Sequence, residues 1–315
     1  QGIPLTSGVG RQADDRVTLS YGQRRLWALA HLETDSATYN MPLVLRLQGS
    51  LNIPALGQAL AAIVARHEPL HTAIREGDNG QPYGQLLPIP DPHTILAITD
   101  LQAAYAKDPA ACAHTVNALT SQEAARPFDL ANDLSLRAQL LILDKEIAVL
   151  LLTMHHQAGD GVSLEVFARE LNTAYLAYCH QQTPAWESLP IQYSDWAAWQ
   201  QLTLDEDLAA KVARAKERLA NAPELLSLPL DHPRDPERTR TAGYLPIALP
   251  SELGLAIEAL ARREQTTIFT VLLAAYGATL ARLARQEEVV IGSPVAGRTR
   301  IETEGLIGFL VNTLA

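Results

Sequence analysis

Two adjacent histidines, His155 and His156, stand in the stretch MHHQAGDGVS, and after a three-residue spacer come Asp160 and Gly161. Imidazole takes up and releases protons near neutral pH, which makes histidine the default general base. A carboxylate close by either orients such a ring or anchors the loop through a salt bridge. A glycine there lets the backbone turn tightly, or lets a substrate approach its N–H. Other readings compete with a base. A histidine near a strand end is commonly a satisfied structural residue. A His-His pair can be half of a metal site, but the zinc signature H-E-x-x-H finds no partner at its spacing here. A Ser-His-Asp triad lacks its G-x-S-x-G elbow.

Any such chemistry needs a frame. Residues 147–153, IAVLLLT, are apolar on both faces, which predicts a buried strand central in its sheet. A loop leaving the end of a buried strand is a common place for an α/β active site. Adjacent residues at a strand end point to opposite sides. Only one of His155 and His156 can then face a given cavity, and the other is expected to be packed or hydrogen-bonded inside. Downstream, SLEVFARELNTAYLAY has helical spacing.

The preceding elements read clearly. Residues 19–33 predict an amphipathic helix capped by Ser20, with Leu26, Leu29 and Ala30 on one face. YNMPLVLRLQG alternates like a strand. The next helix has Pro54 in its first turn and a buried stripe of Leu56, Leu60, Ile63 and Val64. LHTAIREGDNGQPYGQLLP reads as two strands around an Asn79-Gly80 turn. An Ala-rich helix over about 108–125 and a strand at LSLRAQLLILD complete an α/β sandwich class.

Past Tyr178 the texture becomes polar, Pro-containing and Trp-rich, so a domain boundary is placed near residue 180, giving 1–180 and 181–315. Ordinary packing is expected of Trp186, Trp196 and Trp199. A charged helix is expected over about 203–221, then an extended or surface segment, LPLDHPRDPERTRTAG. SELGLAIEALARREQ predicts a helix with Ser251 as N-cap, and TIFTVLLAAYGATLARLAR a more apolar and so more buried one. EEVVIGSPVAGR reads as strand then turn. The strand-like ending IGFLVNTLA has no cap or polar tail, so the second domain is expected to be incomplete.

Composition narrows the class. The chain has 315 residues, 47% of them hydrophobic, enough for a large core and two domains. A net charge of −10 and the lack of a Lys/Arg cluster set nucleic acid aside. Cys112 and Cys179 lie far apart with no CxxC, which fits a reducing cytoplasm. Residues 1–16 lack the basic and apolar regions of a signal peptide, and no run reaches the roughly 18 apolar residues of a membrane span. Gln1 in place of Met suggests a chain cut from something longer.

MHHQAGDGVS resembles the HHxxxDG motif of nonribosomal peptide synthetase condensation domains, which belong to the chloramphenicol-acetyltransferase-like acyltransferases. LSYGQRRLW (19–27) resembles that family's opening motif and RHEPLHTAI (66–74) its second. YSDWAAW (193–199) resembles the fourth and IGFLVNT (307–313) the fifth, with GSPVAGR (292–298) shortly before it. All follow the family's order, so the resemblance covers nearly the whole chain.

The resemblance implies two chloramphenicol-acetyltransferase-like α/β lobes forming a V, here with the second lobe truncated. A tunnel runs between them with the HHxxxDG loop at its middle. It implies an acyltransferase that forms a peptide bond. A donor acyl or peptidyl thioester and an acceptor aminoacyl thioester arrive on phosphopantetheine arms of two peptidyl carrier proteins. The acceptor amine attacks the donor carbonyl. His156 is the implied base or amine-orienting residue, and the N–H of Gly161 is placed to stabilise the oxyanion. His155 is implied to pack and hydrogen-bond. Asp160 is implied to be structural and paired with an arginine, for which Arg137 is the candidate. Ser163, Arg298 and Asn312 are candidate tunnel-lining positions, and a satisfied structural role competes for Arg298 and Asn312. No metal or cofactor of its own is implied. A neighbouring adenylation domain and a cytoplasmic location are.

Departures bear on subtype. The spacer Gln157-Ala158-Gly159 is unlike the family's usual one, and Val162 replaces a frequent Trp, as in related epimerisation domains. IGFLVNTLA looks like condensation, and cyclising relatives carry Asp in place of the first histidine. The opening motif resembles that of domains taking an L-configured donor or a starter acyl group, and an L-donor with an L-acceptor is the type expected. A catalytically silent carrier-docking platform is the competing functional class, and an intact HHxxxDG argues against it.

Overall fold

The computed structural model describes residues 4–33, 36–205, 208–233 and 245–315. Much of the segment read as LPLDHPRDPERTRTAG lies outside the described residues.

The chain opens with β1 (Arg16–Val17) and α1 (Tyr21–Leu32). Ser20 caps α1 through a reciprocal box: its hydroxyl accepts from Gln23 N at 3.1 Å, and the Gln23 side chain accepts from Ser20 N at 3.0 Å. Then come β2 (Asn40–Gln48) and α2 (Ile53–Arg66), the latter capped by Asn52 with Pro54 in its first turn. β3 (Thr72–Glu76) and β4 (Pro82–Leu86) form the expected hairpin, and Gly80 takes the left-handed φ of 72° that its turn needs. β1 pairs with the far edge of β4.

β5 (Leu96–Asp100), α3 (Gln102–Lys107), α4 (Pro109–Ala124), β6 (Leu136–Ile142), β7 (Ile147–His155) and α5 (Gly161–Cys179) follow. The larger sheet has the order β2-β7-β6-β5, so β7 is hydrogen-bonded on both edges, antiparallel to each neighbour. Its period of two splits the core. Ala148, Leu150, Leu152 and Met154 pack with residues of α2 and α5, among them Leu60, Ile63, Val166 and Phe167. Val149 and Leu151 pack with Cys112 of α4 on the other face. Helices on both faces explain why β7 is apolar throughout, and every residue from Ala148 to His155 is buried.

The remaining elements are α6 (Tyr193–Asp205), α7 (Leu208–Arg218), α8 (Ser251–Arg263), α9 (Ile268–Ala284), β8 (Ser293–Val295) and β9 (Asn312–Leu314). Two of them correct expectations. Pro250, not Ser251, is the N-cap of α8, and it makes no side-chain bond to the helix. Ser251 is already the first helical residue, whereas a capping side chain sits on the non-helical residue before it. α9 is not more buried. Phe269, Tyr276 and Leu283 are exposed, and Ala284 alone among its described residues is buried. Apolar composition measures what a helix is able to bury. Burial also needs a partner surface, which the described residues do not supply to that face.

Packing divides the chain into two compact units. One runs to Leu208 and includes Val295–Asn312; the other is Ala209–Pro294 with Thr313–Ala315. No single helix among the described residues is long and apolar enough to cross a membrane.

Candidate active site

β7 ends at His155, and the two histidines leave it on opposite sides. His155 N donates to Ser135 O at 3.0 Å, and His156 N donates to Tyr39 O at 2.8 Å. His155 is buried against Phe128 and Tyr39, with ring centroids 5.5 and 6.4 Å away. Its Nδ1 accepts from Gln157 N at 3.2 Å. Burial first, then the charges of His156 and Arg137, pull its pKa from 6.5 to about 4. It is therefore a neutral, packed ring. His156 instead meets the Phe309 ring edge-on, with centroids 4.8 Å apart and planes at 72°. Its Nδ1 is buried with no hydrogen-bond partner among the described residues.

The loop after the histidines is fastened from several elements. Gln157 donates from Nε2 to Ser135 Oγ at 2.7 Å, and its carbonyl accepts from Gln23 Nε2 at 3.2 Å. Gln23, the other member of the capping box, thereby ties α1 to the loop. Gly159 fills a tight spot, since a Cβ there would stand 2.5 Å from Met154 Sδ. Gly161 is different. It is exposed, its φ is not left-handed, and a Cβ would meet nothing within 4 Å. Of its two expected uses, tight turning is not required here, and the space over its face is open. It begins α5, whose first N–H groups carry the positive end of the helix dipole.

Asp160 is 2% exposed and caps α5. Its Oδ1 accepts from Ser163 N at 2.9 Å, Ser163 Oγ at 2.8 Å and Arg298 Nη2 at 3.1 Å. Its Oδ2 accepts from Leu310 N and Val311 N, both at 3.1 Å. The expected partner Arg137 is thus corrected to Arg298. Arg137 pairs with Glu123 at 2.6 Å, donates to the carbonyls of Arg126 and Pro127, and lies 3.6 Å over the Phe128 ring. The pleat explains this. Leu136 and Ala138 of β6 face α2 and α5, so Arg137 between them faces α4, where Glu123 waits.

Ser163 and Arg298 are interior residues in this structure. The Ser163 hydroxyl is wholly buried, bonded to Asp160 and accepting from Gly308 N at 3.1 Å. Arg298 Nη1 donates to the carbonyls of Thr303 and Leu306. The turn that delivers it requires glycine: Gly297 has φ 68°, and a Cβ would stand 2.0 Å from Leu310 O. Asn312 is exposed and lines a cavity of about 330 Å³ with Tyr21, Arg25, Trp196 and Phe309.

Several residues that hold the site were not singled out by type and spacing. Tyr193 Oη lies 2.8 Å from both Ser20 Oγ and Phe309 O, and burial raises its pKa, so it stays a proton donor. His67 donates from Nε2 to Glu170 at 2.8 Å, accepts Ile307 N on Nδ1, and is kept neutral by burial. Tyr193, His67 and Phe309 lie inside the quoted motifs, which was the available signal. Among the described residues no cluster of His, Cys, Asp and Glu could hold a metal ion.

Comparison with known proteins follows the same lines. The sequence model described as "Condensation domain" matches residues 13–315. Over 306 residues the chain is 39% identical to a probable non-canonical nonribosomal peptide synthetase, CymA, of Salinispora arenicola, covering 95% of this chain and 4% of that protein. Over 305 residues it is 40% identical to a component of the linear gramicidin synthase of Brevibacillus parabrevis, covering 96% and 4%. The chain thus spans about 4% of the length of these relatives. Among solved structures, the complex of the X-domain and OxyB from teicoplanin biosynthesis matches with a TM-score of 0.83 and 25% identity, covering 99% of this chain and 66% of that one.

Proposed function

The chain belongs to the condensation-domain family, and on that premise we propose that it forms amide bonds within a nonribosomal peptide synthetase. The acceptor is an aminoacyl group and the donor an acyl or peptidyl thioester, each on the phosphopantetheine arm of a peptidyl carrier protein. The acceptor amine attacks the donor carbonyl, and the carbon–sulfur bond breaks to leave an amide and a free carrier thiol. The observation that carries this reading is the division of labour at the end of β7: His155 is neutral and packed away, and His156 stands on the other side. His156 takes the amine proton or holds the amine by a hydrogen bond. Either role suits a positioned imidazole. The N–H of Gly161, at the start of α5 with open space before it, stabilises charge developing on the carbonyl oxygen. Asp160 and Arg298 hold this loop and do not touch substrate.

The reading also carries the family's two lobes, residues 1–180 and 181–315, an L-donor with an L-acceptor, and an adjoining adenylation domain. A platform that docks other proteins without chemistry is the second reading, favoured by the fold likeness to the X-domain. Intact-mass spectrometry of the two loaded carriers separates them. Transfer of the donor mass to the acceptor carrier, lost in His156→Ala, supports condensation. Surviving thioesters across several substrate pairs support the platform. A change in α-carbon configuration without mass transfer supports an epimerase.

A further inference from the structure

A catalytic histidine usually has its ring fixed by a hydrogen bond at the nitrogen that does no chemistry. Among the described residues His156 has no such bond. Its Nδ1 is buried and unpartnered, and both oxygens of Asp160 are committed to Ser163, Arg298, Leu310 and Val311. The aromatic ring that meets it is Phe309, edge-on at 4.8 Å. Phe309 is itself held from three sides. Its carbonyl lies 2.8 Å from Tyr193 Oη. The next two backbone N–H groups donate to Asp160. Gly22 of α1 leaves room for the ring, since a Cβ there would stand 2.7 Å from Phe309 Cδ1.

We propose that Phe309 is the positioning residue for His156, and that the Asp160–Arg298 pair serves the site by holding the 309–311 backbone that presents this ring. The proposal rests on the role given to His156 above. It makes aromatic packing do what a carboxylate does in a triad. An edge-to-face pair restricts the imidazole to one orientation, and losing it lets the ring sample unproductive ones. Phe309 is among the residues that line the 330 Å³ cavity, and tyrosine in its place keeps the ring that meets His156.

The test uses the full chain labelled with 13C at histidine Cε1, with the His156 resonance assigned by its loss in His156→Ala. In wild type, that resonance carries the ring-current shift of Phe309. Phe309→Leu is expected to move it toward the unperturbed position and to lower kcat about three- to tenfold with the acceptor KM unchanged. Phe309→Tyr is expected to keep both at wild-type values. Gly22→Ala, which presses on an intact Phe309, is expected to shift the same resonance, and it serves as the second variant if the leucine chain does not fold. An unmoved resonance in Phe309→Leu and Gly22→Ala, or a wild-type kcat in Phe309→Leu, overturns the proposal, as does equal loss in the tyrosine variant. If wild type transfers nothing, the condensation reading fails, while the resonance comparison still decides whether Phe309 orients the ring.

Discussion

Asp160→Asn keeps the shape of the side chain and replaces one acceptor oxygen by a donor NH2. The site has no place for that donor. Turned one way, the NH2 faces Leu310 N and Val311 N; turned the other, it faces Ser163 N, Arg298 and the Ser163 hydroxyl, whose lone pairs already accept from Arg298 and Gly308 N. Each buried donor left unmade costs about 1–3 kcal/mol. Arg298, with its side chain 6% exposed, also loses its counter-charge. Breaking a buried pair by removing one partner costs about 3–5 kcal/mol, and we take that as the net effect. For a unit of this size it lowers Tm by roughly 6–20 °C. Thermal unfolding followed by circular dichroism reads the change directly. Arg298→Met should cost a similar amount, and the double variant less than the sum, with a coupling of about 0.5–3 kcal/mol. A Tm within about 2 °C of wild type, together with lost transfer, would refute the anchoring argument and give Asp160 a direct part in the reaction.

His155 predicts an acid limb. Its folded pKa of about 4 lies below the ordinary 6.5, so between those values the unfolded chain binds a proton that the folded one does not. Stability should then fall as pH drops from about 6.5 to about 4, by about 3 kcal/mol in total, and denaturant unfolding across that range should show the limb flattened in His155→Gln. Gly161→Ala should fold with stability within about 1 kcal/mol of wild type and yet slow transfer, because its Cβ enters open space before the loop. Gly308→Ala should instead destabilise by about 2 kcal/mol or more, since its Cβ would lie 2.1 Å from the Tyr193 ring, as urea unfolding would show. Tyr193→Phe should cost about 1–3 kcal/mol by leaving Phe309 O without its donor, read by the same assay.

Much of the frame was legible in the sequence because it is decided within a few residues. A short run apolar on both faces reads as a strand covered twice, and β7 is that strand. Ser20 followed by Gln23 makes a capping box whatever lies beyond it. Alternation along a strand sends His155 and His156 to opposite sides before any partner is known. The α9 helix marks the limit of such reasoning. Its composition announced a capacity for burial, but exposure depends on what packs beside it. The same limit governed the site. Arg137, 23 residues before Asp160, was the near candidate, and the pleat turned it toward Glu123. The partner came from Arg298, 138 residues away, delivered by a glycine turn that brings 298 and 309–311 onto the start of α5. Strand, cap and alternation follow from local geometry and composition. Which cation answers a buried carboxylate, and which ring lies against the histidine, follow from long-range packing, which one-dimensional spacing does not encode.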